Sequence, residues 1–219
     1  AGSLLYDLFK RSNYKIKEDE YDFCYISQYT NVDDSKMDML VDYNSRTLKS
    51  LVQICKEFGF SLAIAMRSEI SDPEYIDELD YFNQIDLYGA FIKIPNNLST
   101  HSAYKAAAGS KIIINSHSTM GFEFLGAGKK VLFAASADNF ALAHSWDSYE
   151  NFNKLPSVNL LDKLTPESIL SKLRTLISID DDEYIEKIKN ACQYYMNYSS
   201  ERTISEIIKK RINKFLLKK

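Results

Sequence analysis

Short apolar segments alternate with segments of helical periodicity along most of the chain. The apolar segments predict strands at residues 21–27, 61–66, 90–94, 111–115, 130–135 and 158–161. The intervening segments predict helices at residues 42–58, 72–83, 99–108, 119–127 and 165–177. Strands without polar alternation are typical of sheets covered on both faces, and their alternation with helices indicates parallel pairing. We therefore predict an α/β fold, a doubly wound parallel sheet of about six strands.

The chain beyond the last predicted strand continues as helices. One apolar stripe at helical spacing includes Ile185 and Ile188, and a second includes Ile204, Ile208 and Ile212. Residues 201–219 are also rich in Lys and Arg. The apolar stripe of this basic segment could pack on the domain or on a missing partner half, or it could lie on anionic lipid. Packing is the simpler alternative, and peripheral membrane contact stays open.

Composition narrows the class of protein. The 219 residues are 45% hydrophobic and 26% charged, a globular balance that excludes a disordered chain, a collagen and a disulfide-stabilised miniprotein. The formal net charge of -3 argues against a dedicated nucleic-acid binder. No apolar run approaches the roughly 20 residues needed to cross a bilayer, and the first residues do not form a secretory signal. The sequence therefore predicts a cytoplasmic protein.

No set of residues has the spacing of a metal site. Cys24, Cys55 and Cys192 are far apart in apolar stretches, which predicts small buried hydrophobic side chains rather than disulfides or metal ligands. The acidic run at residues 180–183 falls between two predicted helices, where it is typical of a solvated first helical turn. We expect neither a metal nor a cofactor.

The densest polar cluster follows the fourth predicted strand. Residues 115–119 are all polar and pass directly into a helix through Ser118 and Thr119. In an open parallel sheet, ligands bind beyond the carboxyl ends of the strands. Hydroxyls and backbone N–H groups at a helix N-terminus favour an anion such as phosphate. The simpler interpretation of the Ser-Thr pair is a helix cap alone.

Glu123 and Gly121 extend this cluster into the helix. A capping box requires Glu three residues after the cap, but Glu123 is four after Thr119, so that structural explanation fails. Four residues apart on one helix face, Thr119 and Glu123 could meet the same ligand, and a carboxylate suits a pair of ribose hydroxyls. A solvated surface Glu is the alternative. Gly121 costs about 1 kcal/mol relative to Ala inside a helix, which predicts a close approach of a ligand or strand.

The stretch from Ser116 to Val131, with the pattern S-x-S-T-x-G-x-E-x-L-x-x-G-K-K-V, resembles the nucleotide-sugar-binding segment of GT-B glycosyltransferases. The resemblance is to the enzymes of bacterial capsule and lipopolysaccharide synthesis, including relatives of Kdo transferases. The order of elements from residue 21 to 177 is similar to the donor-binding C-terminal half of that fold. The resemblance therefore implies a Rossmann-like domain that forms half of a two-domain enzyme.

The resemblance also implies roles for individual residues. Ser118 and Thr119 would hold the donor phosphate, Glu123 the ribose, and Arg67 at the end of the second strand would lie near the phosphates. The remaining candidates for donor binding are Ser116, Gly121 and His117, and His117 could also act as an acid or base. Arg67 as an ordinary surface residue is the alternative. We find no convincing catalytic base, which in this fold usually comes from the other half.

The implied function is transfer of a sugar, without a metal, from a nucleotide-sugar donor to a glycan or lipid-linked acceptor. A cytoplasmic protein associated with the inner membrane would fit this function, and the isolated chain would turn over little. An epimerase of the same fold and a non-catalytic flavodoxin-like module are the alternatives. We expect residues 1–3 to be a tag remnant, 4–20 a linker or crossover, 21–178 the nucleotide-sugar-binding domain, and 179–219 the C-terminal helices of a chain that lacks its N-terminal domain.

Overall fold

A computed structural model describes residues 3–29, 35–86, 89–134, 154–161 and 163–196, and the single positions 206, 209, 210 and 213. Within these residues the strands are β1 (Tyr21–Ile26), β2 (Leu62–Glu69), β3 (Ile92–Asn96), β4 (Ser110–Asn115) and β5 (Lys130–Phe133). The helices are α1 (Leu4–Arg11), α2 (Ser35–Phe58), α3 (Tyr75–Ile85), α4 (Ser102–Ala108), α5 (Thr119–Gly126), α6 (Pro166–Ser178) and α7 (Asp181–Tyr195).

The strands form one parallel sheet in the order β3-β2-β1-β4-β5. The central strand β1 pairs with β2 on one side and with β4 on the other, where Cys24 aligns with Ala63 and with Ile113. These three residues are completely buried, as the apolar character of the strands predicts. The α/β, doubly wound, Rossmann-like fold is therefore confirmed.

The prediction of a sixth strand at residues 158–161 is wrong. Ser157–Asn159 forms a 3-10 helix, and Leu160 makes only an isolated parallel bridge with Phe133 at the edge of the sheet. Asn159 explains the interruption, because its buried amide donates hydrogen bonds to the Val131 carbonyl and the Tyr184 hydroxyl. A side chain turned inward to these partners replaces a regular strand ladder, so the sheet has five strands within the described residues.

Residues 4–20, predicted as a linker or crossover, contain a helix that is part of the core. Ser3, expected to belong to a tag remnant, caps α1 by accepting a hydrogen bond from the Tyr6 backbone N–H at 3.4 Å. The Tyr6 ring packs edge-on against Phe124 at 5.3 Å, and the Phe9 ring lies 5.4 Å from that of Tyr104. Because Tyr6 and Phe9 are buried, α1 covers one side of α4 and α5.

The first C-terminal helix packs against α5. Asp180 caps α7 and accepts hydrogen bonds from the backbone N–H groups of Asp182 and Glu183, so the acidic run forms a helical first turn. Most of the basic segment 201–219 lies outside the described residues. No helix among the residues that the structure describes is long and apolar enough to cross a membrane.

Candidate functional site

A cavity of about 380 Å³ opens at the carboxyl ends of β1 and β2, beside the N-terminus of α5. Its position follows from the topology, because the strand order reverses at β1, whose neighbours on either side are β2 and β4. Such a switch point leaves a crevice where the loops diverge. The polar cluster predicted from the sequence lies on one wall of this cavity, and the end of β2 lies on another.

The first wall is the turn between β4 and α5. The Asn115 side chain accepts a hydrogen bond from the Ser118 backbone N–H at 3.0 Å and donates one to the Ser118 carbonyl at 3.1 Å. The Ser118 hydroxyl in turn caps α5 by accepting from the Met120 N–H at 3.3 Å. This fixed turn places Ser118, Thr119 and Met120 on the cavity, at the end of the helix dipole that favours anions.

Gly121 is required by this turn. A Cβ atom at residue 121 would lie 2.2 Å from Nδ2 of Asn115 and 2.7 Å from its Cβ. The close approach expected at this glycine is therefore that of the end of strand β4, and it gives the Asn115 amide room to hold Ser118.

The second wall carries the cation of the site. The Arg67 side chain is exposed at the cavity, and its guanidinium donates a hydrogen bond to the Tyr29 carbonyl at 2.9 Å. The Arg67 carbonyl accepts from the Asn96 side chain at 3.1 Å. These contacts join the ends of β1, β2 and β3 around one positively charged group. Arg67 faces the same cavity as the N-terminus of α5, which creates a site suited to a phosphate.

Glu78, on the neighbouring helix α3, holds the second wall of the cavity in place. Its side chain on α3 is completely buried, and its carboxylate accepts hydrogen bonds from the Ser27 hydroxyl at 2.5 Å, the Arg67 N–H at 2.9 Å and the Ser68 N–H at 2.8 Å. Glu78 was not among the candidate residues predicted from the sequence. Its spacing of four from Phe82, which is also buried, places it on the inner face of α3 and could have identified it.

The structure brings together only part of the candidate set. Arg67, His117, Ser118 and Thr119 line the cavity, whereas Ser116, Gly121 and Glu123 do not. The Ser116 side chain is buried behind the wall, where its hydroxyl donates to Oδ1 of Asn44 at 2.8 Å. The first four residues are therefore placed to touch a ligand directly, and Ser116 and Gly121 are placed to support them.

Glu123 is not a solvated surface residue. Its side chain is 3% exposed, and Oε2 accepts a hydrogen bond from the Tyr104 hydroxyl at 2.5 Å. Burial, followed by the Glu123 charge, raises the pKa of Tyr6 to about 12. Tyr104 lines the cavity whereas Glu123 does not, so Tyr104 is the member of this pair that is exposed to the cavity.

The described residues contain no group of three or more His, Cys, Asp or Glu side chains arranged to hold a metal ion. Cys24 and Cys55 are buried, and Cys192 is partly buried with its thiol donating to the Leu125 carbonyl at 3.3 Å. Nδ1 of His101 lies 3.2 Å from the Tyr14 hydroxyl oxygen, and neither residue lines the cavity.

Comparison with known proteins gives a family and a fold. A family model described as "putative O-antigen biosynthesis protein" matches residues 7–211. No curated protein matches the chain. Among solved structures, the chain is similar to S. aureus MnaA in complex with UDP, with a TM-score of 0.55 and 17% sequence identity. The match covers 97% of this chain and 54% of the MnaA chain, so this chain spans about half the length of that protein.

Proposed function

Because the chain belongs to this family of O-antigen biosynthesis proteins, we propose that it is the donor-binding half of a glycosyltransferase of bacterial surface-glycan synthesis. One observation carries the proposal: Arg67 and the N-terminus of α5 face the same cavity at the switch point of the sheet. The similarity of this chain in fold to a protein whose structure contains UDP supports a nucleotide as the ligand.

The chemistry of the cavity suits the phosphates of a nucleotide-sugar. The positive end of the α5 dipole, together with the Ser118 and Thr119 side chains, would bind one phosphate. Arg67 would bind phosphate from the opposite wall with its planar fork of donors. When the sugar leaves, negative charge develops on the nucleotide, and these donors would stabilise it without a metal.

The remaining candidates have supporting or neighbouring roles in this proposal. Glu123 would accept hydrogen bonds from the ribose, and His117 would contact the phosphates from the cavity wall. Ser116 and Gly121 would act by fixing the turn that presents Ser118. The catalytic base would come from a separate N-terminal domain, and the acceptor would be a glycan or a lipid-linked glycan at the cytoplasmic side of the inner membrane.

An epimerase of the same fold is the second candidate, because it would also bind the phosphates of a nucleotide-sugar at this cavity. The two activities differ in their products. Incubation of the full-length enzyme with a nucleotide-sugar and an acceptor distinguishes them: a transferase releases nucleotide only with acceptor, whereas an epimerase yields an isomer of the intact donor.

Replacing Arg67 with Ala tests the phosphate site. We expect UDP, or whichever of CMP, CDP, UDP and GDP binds the wild type, to bind at least about tenfold more weakly, since a charge-assisted hydrogen bond is worth roughly 1.5–3 kcal/mol. Isothermal titration calorimetry measures the change. Arg46→Ala is the matched control, because Arg46 is exposed on α2, away from the cavity, and forms a solvent-exposed ion pair with Asp42 at 3.6 Å.

Two results would contradict the proposal. If the wild-type chain binds none of the four nucleotides, the non-catalytic module becomes the better interpretation. If Arg67→Ala and Arg46→Ala bind equally well, phosphate recognition lies elsewhere.

A further inference from the structure

Tyr104 separates the cavity from the buried Glu123 carboxylate. The tyrosine side chain lines the cavity and is 7% exposed, and its hydroxyl donates to Oε2 of Glu123 at 2.5 Å. Glu123 itself does not line the cavity. A ligand hydroxyl that takes the place of the tyrosine hydroxyl at this oxygen must displace it.

The carboxylate needs a donor at this place. A buried carboxylate without hydrogen bonds is strongly disfavoured, and the hydroxyl of Tyr104 supplies a short, charge-assisted bond. Any ligand group that takes its position must itself donate a hydrogen bond. An aliphatic hydroxyl such as the 2′- or 3′-hydroxyl of a ribose meets this requirement, and a 2′,3′-dideoxyribose, which has neither, does not.

We propose that Tyr104 is a gate that competes with the ribose of the bound nucleotide for Glu123, and thereby sets both its affinity and its preference for ribose. This inference rests on the proposed function, in which Glu123 accepts from the ribose. With the gate closed, the carboxylate is satisfied by Tyr104. Binding exchanges the tyrosine hydroxyl for a ribose hydroxyl, and the ring moves toward the cavity that it already lines.

The exchange lowers the apparent affinity of the wild type. The nucleotide gains a hydrogen bond to Glu123 only when Tyr104 gives up its own. The net gain in binding free energy is therefore smaller than it would be if Tyr104 did not contact the carboxylate. The open form, in which the Tyr104 hydroxyl does not contact Glu123, is the minor form of the free protein. The apparent affinity for the nucleotide is the affinity of the open form multiplied by its fraction. A 2′,3′-dideoxynucleotide has no ribose hydroxyl to offer Glu123, so it can bind with the gate closed and is not affected by this equilibrium.

The aromatic packing around Tyr104 makes a clean substitution available. Its ring lies 5.4 Å from that of Phe9 and 5.9 Å from that of Phe124, so Tyr104→Phe keeps these contacts and removes only the hydroxyl. In this variant the buried carboxylate lacks its tyrosine donor in the free protein. A ribose hydroxyl then satisfies it without competition.

Calorimetric titration of Tyr104→Phe with UDP and 2′,3′-dideoxy-UDP tests the gate. We expect UDP to bind at least about threefold more tightly than to the wild type, and 2′,3′-dideoxy-UDP to change by less than about twofold. In a Glu123→Gln background, Tyr104→Phe should no longer increase UDP affinity, since the carboxylate for which Tyr104 and the ribose compete is gone. Tyr14→Phe is the control, because the Tyr14 hydroxyl contacts His101 and Ser99 and does not line the cavity.

The outcomes separate this inference from the proposed function. Unchanged UDP affinity in Tyr104→Phe overturns the gate and leaves the nucleotide site intact. Weaker UDP binding also overturns it, because the hydroxyl of Tyr104 would then contact the ligand itself. If neither the wild type nor the variant binds UDP or any of the other nucleotides, the proposed function fails and the gate fails with it.

Discussion

Replacement of Glu78 by Gln should lower the free energy of unfolding by about 3 kcal/mol, because it removes one partner from a buried, charge-assisted network. The carboxylate accepts from the Ser27 hydroxyl and from two consecutive backbone N–H groups, those of Arg67 and Ser68. A glutamine amide has only one acceptor oxygen, and its NH₂ group would face a donor. At least one buried N–H or hydroxyl is then left without an acceptor.

Urea denaturation followed by circular dichroism measures this loss of stability. Glu74→Gln is the matched control, since Glu74 is exposed at the start of the same helix and its side chain makes no capping hydrogen bond. We expect the control to differ from the wild type by less than about 0.5 kcal/mol. The same small change in Glu78→Gln would contradict the structural role of the buried carboxylate.

The same variant should also bind nucleotide more weakly. Glu78 joins the loop after β1 to the end of β2, and the Arg67 side chain extends from that end toward the cavity. If the anchor is lost, the guanidinium is no longer held at a fixed distance from α5. Calorimetry at a temperature where the variant remains folded separates this effect from the loss of stability.

Much of the fold follows from local patterns in the sequence. The strands of a doubly wound sheet are buried on both faces, so they are continuous apolar runs, and their order along the chain can be predicted from this feature. The third strand was predicted at residues 90–94, but β3 spans Ile92–Asn96 and includes Pro95. A proline is tolerated here since β3 is the edge strand and the missing N–H of Pro95 costs it no ladder bond.

The sequence predicted a polar cluster at the carboxyl ends of the strands, and the structure has a cavity there, but the contacts of the cluster were not predicted. Residues 117–119 line the cavity because they follow a strand at the switch point, and this placement depends only on the order of elements. The burial of Glu123 depends on Tyr104, and that of Glu78 on Ser27, residues far away in sequence. No spacing rule identifies such partners, so the hydrogen bonds that hold Glu123 and Glu78 emerged only from the three-dimensional structure.

Substitution of Gly121 by Ala should destabilise the protein by about 3 kcal/mol, although helix propensity alone predicts a gain of about 1 kcal/mol. A Cβ at this position would lie 2.2 Å from Nδ2 and 2.3 Å from Cγ of Asn115. Overpacking of this kind costs about 1–3 kcal/mol, and displacement of the Asn115 amide also breaks its two hydrogen bonds to Ser118. The sign of the effect therefore distinguishes steric conflict from propensity.

A double-mutant cycle with Asn115→Ala attributes the effect to this contact. Asn115→Ala removes the Cγ and Nδ2 atoms that a Cβ at residue 121 would meet, so the two changes together should cost less than the sum of the single changes, by about 1 kcal/mol or more. Urea unfolding gives the cycle, and calorimetry should show weaker nucleotide binding in Gly121→Ala, because Ser118 and the first turn of α5 move. Additive costs, or a more stable Gly121→Ala, would show that the turn tolerates a side chain and that Asn115 does not determine the shape of the site.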